Sequence, residues 1–318
     1  MSLFLIILII HNFVIYCLTL VSTNFIFLSG NNIPIILKQE LSTIKKRGRL
    51  ILLIISVLIS LYCIFIWKNV YDASYTPEGP QANISNILKK NTLSHEDYTF
   101  LFKQTGLSRT AIDEFLLTSD GMDKIISIQK NYFKRNKIFR EQLNPFTVQE
   151  SILVNGSLSR FIQMAPVKNG DILLTKSCYT LYWRHGHCGI VIDAKKGITL
   201  ESLTPGSHSI TQDISKWQYF PTFKILRLKN ADQKKLDAIS SFAAKNLAGI
   251  KYGICSPKRY DDAKPKVENC SQMIWQAYYH YGYDIDGNKG LLVTPSDLAK
   301  SELFEVVQTF GFPPDKPW

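Results

Sequence analysis

An α+β fold behind a membrane-inserted amino-terminal region is predicted by three features of this chain. Two uncharged apolar runs open it, and a stretch of helical periodicity follows. After Pro145, short Ile-, Val- and Leu-rich runs alternate with turn residues before a helical pattern returns, which argues for an antiparallel sheet flanked by helices.

The first apolar run, residues 3–28, carries no formal charge and one histidine. The second, LILLIISVLISLYCIFIW from Leu50 to Trp67, is also uncharged and is bordered by Lys68. A membrane-spanning helix needs about 20 mostly apolar residues, and an aromatic–basic border suits the headgroup interface. The expected order is one transmembrane helix over 1–28, a basic cytoplasmic loop over 29–49, and a second transmembrane helix over 50–68. A buried hairpin, or an upstream start that is not used, is the alternative for the first run. Lys38, Lys45, Lys46, Arg47 and Arg49 face one acid, Glu40, in the intervening segment. Positive segments stay in the cytoplasm, so everything after Trp67 is expected outside. The basic stretch before the second run alone resembles a signal-anchor, and no A-x-A-like cleavage site follows it, which implies retention in the cell membrane.

The formal charge of +11 is not confined to that region. Residues 1–74 hold six Lys or Arg and two acids, so the remainder holds 31 basic and 24 acidic side chains, a net +7. That excess suits an anionic surface such as cell-wall polymer or lipid headgroups. The charges are scattered and accompany no nucleic-acid motif, so nucleic acid is not an expected partner.

Residues 69–83 contain prolines and a glycine and read as a linker. A helical segment is expected over 84–150. Ser94 caps its first helix with Asp97 three residues on, and Gly106 ends it. Ser108 opens a helix through Leu117, and Asp120-Gly121 precedes a third, with Met122, Ile125, Ile126, Gln129 and Phe133 at helical spacing. From 151 to 318 the strands are expected at Ile172 to Leu174, Gly189 to Ile192, Gly197 to Leu200 and Phe223 to Leu228. An amphipathic helix follows over Gln233 to Leu247, and another from Cys270 to Tyr281 that stops at Gly282.

Four of the six cysteines lie outside the apolar runs: Cys178, Cys188, Cys255 and Cys270. None belongs to a CxxC or to a Cys/His array with zinc spacing, so neither a structural metal nor a cofactor is expected. A Cys178–Cys188 disulfide is conceivable in an external domain. Cys270 falls in the first turn of its helix with Asn269 placed to cap, where dipole and free N–H groups favour a thiolate and an oxyanion. A buried inert cysteine is the alternative. His187, at the mouth of a strand, is the candidate base, and under period-two alternation it shares a face with Gly189 and Val191. His185 is its rival. Glu201 ends the next strand, and pairing across the Lys195–Gly197 turn would bring it level with His187 to fix the tautomer; otherwise it is a solvated strand-end acid.

The series NGDILLT, HCGIVID, LES, AGIKYG and ENCSQM resembles the permuted papain-like cysteine hydrolases, the YiiX-like relatives of the NlpC-type cell-wall peptidases. In NlpC-type order the cysteine helix precedes the histidine strand. Here His187 precedes Cys270 by 83 positions, as in the circularly permuted branch. The resemblance covers about 165–300 and extends loosely to DYTFLFKQTGLSRTAIDEFL. It implies a circularly permuted papain-like domain over 151–318, with Cys270 as nucleophile, His187 as base and Glu201 as third polar residue. It also implies that Tyr252 lines the substrate site near the oxyanion, against a reading of ordinary packing. Asp171 matches the family too, as a turn residue at a strand start. The charged insert SPKRYDDAKPKVE departs from the pattern and bears on which substrates enter. Cys188 and Cys255 are resolving partners for Cys270 or bystanders.

The expected activity is that of a membrane-anchored extracytoplasmic thiol hydrolase, a cysteine peptidase or amidase acting on cell-wall peptides. A lipid-directed acyl hydrolase or acyltransferase is one alternative, and a non-catalytic surface scaffold is another.

Overall fold

The computed structural model describes residues 35–70, 74–181, 183–259 and 265–318. The first apolar run lies outside the described residues. The chain divides into two units, Met1–Tyr71 and Asp72–Trp318.

The described part of the first unit is one helix, α1 (Ile35–Val70). The expected loop over 29–49 is therefore helical from Ile35 onward. Lys, Gln, Glu, Leu and Arg, which are strong helix formers, supply nine of residues 35–49, and no proline follows Pro34 in that stretch. Within α1, Lys46–Ile64 is long and apolar enough to cross a membrane. Its side chains at Leu50, Leu53 and Leu58 are exposed, and Ser60 Oγ returns its proton to the Ser56 carbonyl at 2.9 Å, so the run carries little polar demand.

The second unit begins earlier than the linker reading placed it. Ser74 Oγ donates to the Pro221 carbonyl, Tyr75 N–H to the Gly311 carbonyl and Ala82 N–H to Gln104, so residues 74–82 are strapped to the body. After the short α2 (Ser85–Leu88) come α3 (His95–Thr105), α4 (Arg109–Leu116) and α5 (Gly121–Tyr132). Ser94 and Asp97 form a reciprocal capping box on α3, and Ser108 caps α4. Gly106 takes φ 71° at the end of α3, and a Cβ there would lie 2.0 Å from the Thr309 carbonyl oxygen.

The helical segment stops at Tyr132, not near 150. β1 (Lys137–Gln142) and β2 (Thr147–Val154) form an antiparallel hairpin in its place. The Asn144 side chain accepts from the N–H groups of Phe146 and Thr147, so Asn144-Pro145 is the turn and not a helix end. β3 (Ser157–Leu158) extends this small sheet.

The main sheet is built from β4 (Ile172–Thr175), β6 (His187–Asp193), β7 (Ile198–Glu201), β8 (Ile210–Asp213), β9 (Phe223–Leu228) and β12 (Phe304–Phe310). Its order is β12-β9-β4-β6-β7-β8, every neighbour antiparallel. The intervening β5 (Cys178–Thr180) pairs with β2 instead. Helices α6 (Gln233–Asn246) and α7 (Cys270–Tyr279) bury one face of the main sheet against Ile172, Leu174, Cys188, Ile190 and Leu226. The opposite face, with Leu173, Val191 and Ile225, packs against Leu101, Ile112 and Ile125 of α3, α4 and α5. The helical segment is thus the third layer of an α+β sandwich. Double-sided burial explains why Ile172-Leu173-Leu174 of β4 reads as a continuous apolar run without alternation. Arg227 locks the layers together, bonding Asp171 at 2.9 and 2.7 Å and Glu114 of α4 at 2.8 Å. Asp171 also accepts from the Lys168 N–H, so its part is the buried turn at the start of β4.

Candidate active site

Local chemistry places Cys270. β10 (Lys251–Tyr252) and β11 (Val267–Glu268) pair in parallel and deliver the chain to Asn269, whose side chain accepts from the Gln272 N–H at 2.8 Å. That cap starts α7 with Cys270 in its first turn, 8 % exposed. The sulfur therefore lies where unpaired helix N–H groups and the positive end of the dipole favour negative charge.

Strands β6 and β7 supply the partners. Ile190 pairs with Leu200 and Val191 with Thr199, so Glu201 continues the register opposite Gly189, two positions short of the expected level with His187. The offset is closed by the side chain. Glu201 reaches diagonally over Gly189 and its Oε2 meets His187 Nε2 at 2.7 Å. Gly189 is what permits this, because a Cβ there would lie 2.8 Å from Glu201 Cγ and 3.1 Å from Trp217 Cζ2. Replacing Gly189 with Ala is expected to displace Glu201. Overpacking of this kind costs roughly 1–3 kcal/mol. A thermal melt alongside the alkylation rate of Cys270 checks it, and an unchanged rate would show that Glu201 does not depend on the missing side chain.

Four donors hold Glu201, which is fully buried. His187 Nε2 and Lys216 Nζ approach Oε2, the latter at 2.5 Å, while Thr199 Oγ1 and Trp217 Nε1 donate to Oε1 at 2.7 and 3.0 Å. Burial pushes the carboxyl up, but the His187 contact and the Lys216 charge outweigh it and hold Glu201 down at about 2. Trp217 also stacks on the His187 ring, with centroids 5.5 Å apart and planes 12° from parallel. With Nε2 on the carboxylate and the ring clamped, Nδ1 is the nitrogen left for Cys270. Burial disfavours the imidazolium, yet hydrogen bonds to Cys270 and Glu201 raise His187 to about 9. The Cys188 thiol, and after it the His187 imidazolium, overcome burial and hold Cys270 well below its usual range. Both shifts favour a thiolate–imidazolium pair over the neutral thiol and imidazole.

His185 is not part of this chain of contacts. Its Nδ1 donates to the Gly186 carbonyl at 2.7 Å, its Nε2 accepts from Thr180 at 3.0 Å, and burial lowers its pKa, so it is a neutral packing residue. Tyr252 is half-buried on β10, and burial first and the Cys270 charge second raise its phenol. The five described cysteines are free, so the conceivable Cys178–Cys188 disulfide is absent from the structure. Burial pushes Cys178 up to about 12 and Cys188 well above its usual range, leaving both as neutral thiols. Part of the charged insert, residues 260–264, lies outside the described residues.

Three residues of the site escaped the sequence: Thr199, Lys216 and Trp217. Thr199 carried a usable signal, since it lies two residues before Glu201 and so on the same strand face. Lys216 and Trp217 carried none, because they reach Glu201 from a 3-10 turn (Ile214–Tyr219) that joins two strands.

No family model matches the chain, and no solved structure matches it. The chain is similar to the uncharacterized protein YycO of Bacillus subtilis (strain 168), at 24% identity over 183 residues, which span 57% of this chain and 72% of that protein.

Proposed function

We propose that this chain is a membrane-anchored thiol hydrolase of the circularly permuted papain-like kind, cleaving amide bonds in cell-wall peptides on the outer side of the membrane. The observation that carries the reading is the line from Cys270 through His187 to Glu201, in which His187 bonds Glu201 at 2.7 Å and the same imidazole, after the Cys188 thiol, holds the Cys270 pKa down. The order of histidine strand before cysteine helix, the α1 span and the basic residues clustered at its amino-terminal end support the rest.

In this mechanism the Cys270 thiolate attacks the amide carbonyl carbon, and the first-turn N–H groups of α7 receive the oxyanion, with the Tyr252 phenol beside it. His187 passes the Nδ1 proton to the leaving nitrogen as the C–N bond breaks, which leaves an acyl thioester. Neutral His187 then takes a proton from water, whose hydroxide attacks the thioester. The carboxylic acid product departs and the thiolate–imidazolium pair is restored. Glu201 keeps the ring in one orientation throughout.

A lipid-directed acyl hydrolase is the second reading, and a specific observation favours it. Trp183, four residues before His187, and Ile254, whose carbonyl accepts from Asn269, are 48% and 63% exposed, so apolar side chains flank both halves of the site. The test uses the full-length chain and Cys270→Ala in detergent, incubated with muropeptides and separately with phospholipid vesicles, and products are read by mass spectrometry. New amino termini that vanish in the variant are the expected result. Fatty acid release in their place moves the substrate to lipid, and identical silence from both proteins on both substrates overturns the hydrolase reading.

A further inference from the structure

The charge count at the site exposes a role for a fourth residue. In the thiolate–imidazolium form that the shifts favour, Cys270 and Glu201 each contribute a negative charge and His187 a positive one, so these three alone would leave an unbalanced anion in a buried centre. Burying uncompensated charge is costly, and a group so placed ordinarily takes up a proton instead. Lys216 supplies the compensating cation. Lys216 Nζ lies 2.5 Å from Glu201 Oε2, the same oxygen that His187 Nε2 meets at 2.7 Å. Among the described residues, Thr199 and Trp217 from β7 and the 3-10 turn, Cys178, His185 and Cys188 from β5, the following loop and β6, and Tyr252 from β10 face Glu201 and Cys270 as neutral groups, and behind Cys178 the Glu150 carboxylate is paired with Arg184 at 2.7 Å.

We propose that Lys216 is a positioning residue of the nucleophilic centre, closing a charge-neutral chain of Lys216, Glu201, His187 and Cys270 that lets the thiolate persist in acid. The proposal rests on the thiol-hydrolase reading and deepens it. Its geometry is deliberate in sequence terms. The Asp213 side chain accepts from the Ser215 N–H and opens the 3-10 turn, so that adjacent residues reach the two oxygens of one carboxylate, Lys216 to Oε2 and Trp217 to Oε1. Two anchors from one turn fix the carboxylate plane, and the ammonium supplies the charge that the indole cannot. The Lys216 side chain is 28% exposed, so its stem leaves the site toward solvent and substitutions there do not open a cavity in the core.

Removing the cation has a definite sign. Both anions of the chain lose a stabilising charge, so Glu201 and Cys270 protonate at higher pH than before. A residue that merely packed against Glu201 would change the rate without moving the pH at which it falls. The experiment measures iodoacetamide alkylation at the Cys270 peptide of the full-length chain, by mass spectrometry, from pH 3 to 9; this needs no substrate. Wild type is expected to stay reactive well into acid. Lys216→Met is expected to move the acid midpoint up by about one pH unit or more, Lys216→Arg to restore it, and Lys216→Gln to behave as Met does. A Gln variant that matches wild type, or a uniform loss at every pH with the midpoint unmoved, overturns the proposal. If wild type itself shows an ordinary thiol midpoint, the hydrolase reading fails first, and with it the charge chain; an acid-stable wild type with an unmoved Met variant rejects Lys216 alone.

Discussion

A His187→Ala chain is expected to lose the acid-stable thiolate, and its Cys270 alkylation at pH 6 to fall roughly 100-fold or more. The magnitude follows from what remains. Without the imidazolium, Cys270 keeps the Cys188 contact and the helix terminus, but burial now opposes the charge with less to answer it. A thiol returned to the ordinary value of 9.0 ionises at pH 6 to about one part in a thousand. The greater nucleophilicity of the more basic thiolate recovers part of that loss. The deficit shrinks as pH approaches 9, where the variant ionises unaided. Hydrolysis behaves differently at that end, because turnover needs the proton on His187. With His187 raised to about 9, the wild-type turnover declines as pH rises through that value while alkylation does not. The same shift bears on folding. A histidine raised above 6.5 contributes stability that is complete below 6.5 and is lost as pH climbs through about 9. An alkylation profile identical in wild type and variant would show that sulfur and imidazole do not communicate.

The residues legible in sequence are those whose position follows from local rules. Ser94 with Asp97, Ser108 and Asn269 each satisfy an N–H within three residues, so caps and helix starts were readable without the fold. Cys270 inherited its place from Asn269, and His187 from strand alternation. The helical state of 35–49 was obscured because a charged segment between apolar runs suggests a loop, although its composition favours helix. The β1–β2 hairpin was hidden because β1 is mostly exposed and lacks apolar alternation, so its neighbours' helical texture dominated. That α3, α4 and α5 form a layer on the sheet could not be read from their stripes, which state that something is buried but not against what. Lys216 is the sharpest case. A lysine in a short turn between strands has the look of a solvated side chain, and its meaning depends on a carboxylate that the sheet register brings to it.

Exchanging Glu268 for Gln is expected to abolish most of the loss of stability that the wild-type chain suffers between pH 5 and 8. Glu268 is fully buried and neither carboxylate oxygen has a hydrogen-bond partner among the described residues. Ser209 is near, but its hydroxyl donates to the Leu247 carbonyl and accepts from the Ile250 N–H. Burial, weakly opposed by Ser209, raises the carboxyl from 4.5 to about 8. Its sign is opposite to that of Glu201. The folded chain holds a proton that the unfolded chain releases, so the contribution is complete below 4.5 and is lost as pH rises through about 8. The slope is about 1.4 kcal/mol per pH unit, giving an upper bound of about 4 kcal/mol over three units. Thermal midpoints of the full chain by near-ultraviolet circular dichroism, at pH 5 and pH 8 in the same detergent, read this directly. Equal declines in wild type and variant would sink the idea. The consequence reaches the site because Glu268 pairs with Tyr252 across β10 and β11, and its carbonyl accepts from the Gly253 N–H at 2.9 Å. Charging it strains the pairing that hands the chain to Asn269 and the Cys270 helix. The alkaline edge of activity therefore has two sources, the His187 proton and the Glu268 proton, and the Gln variant removes the second while leaving the first.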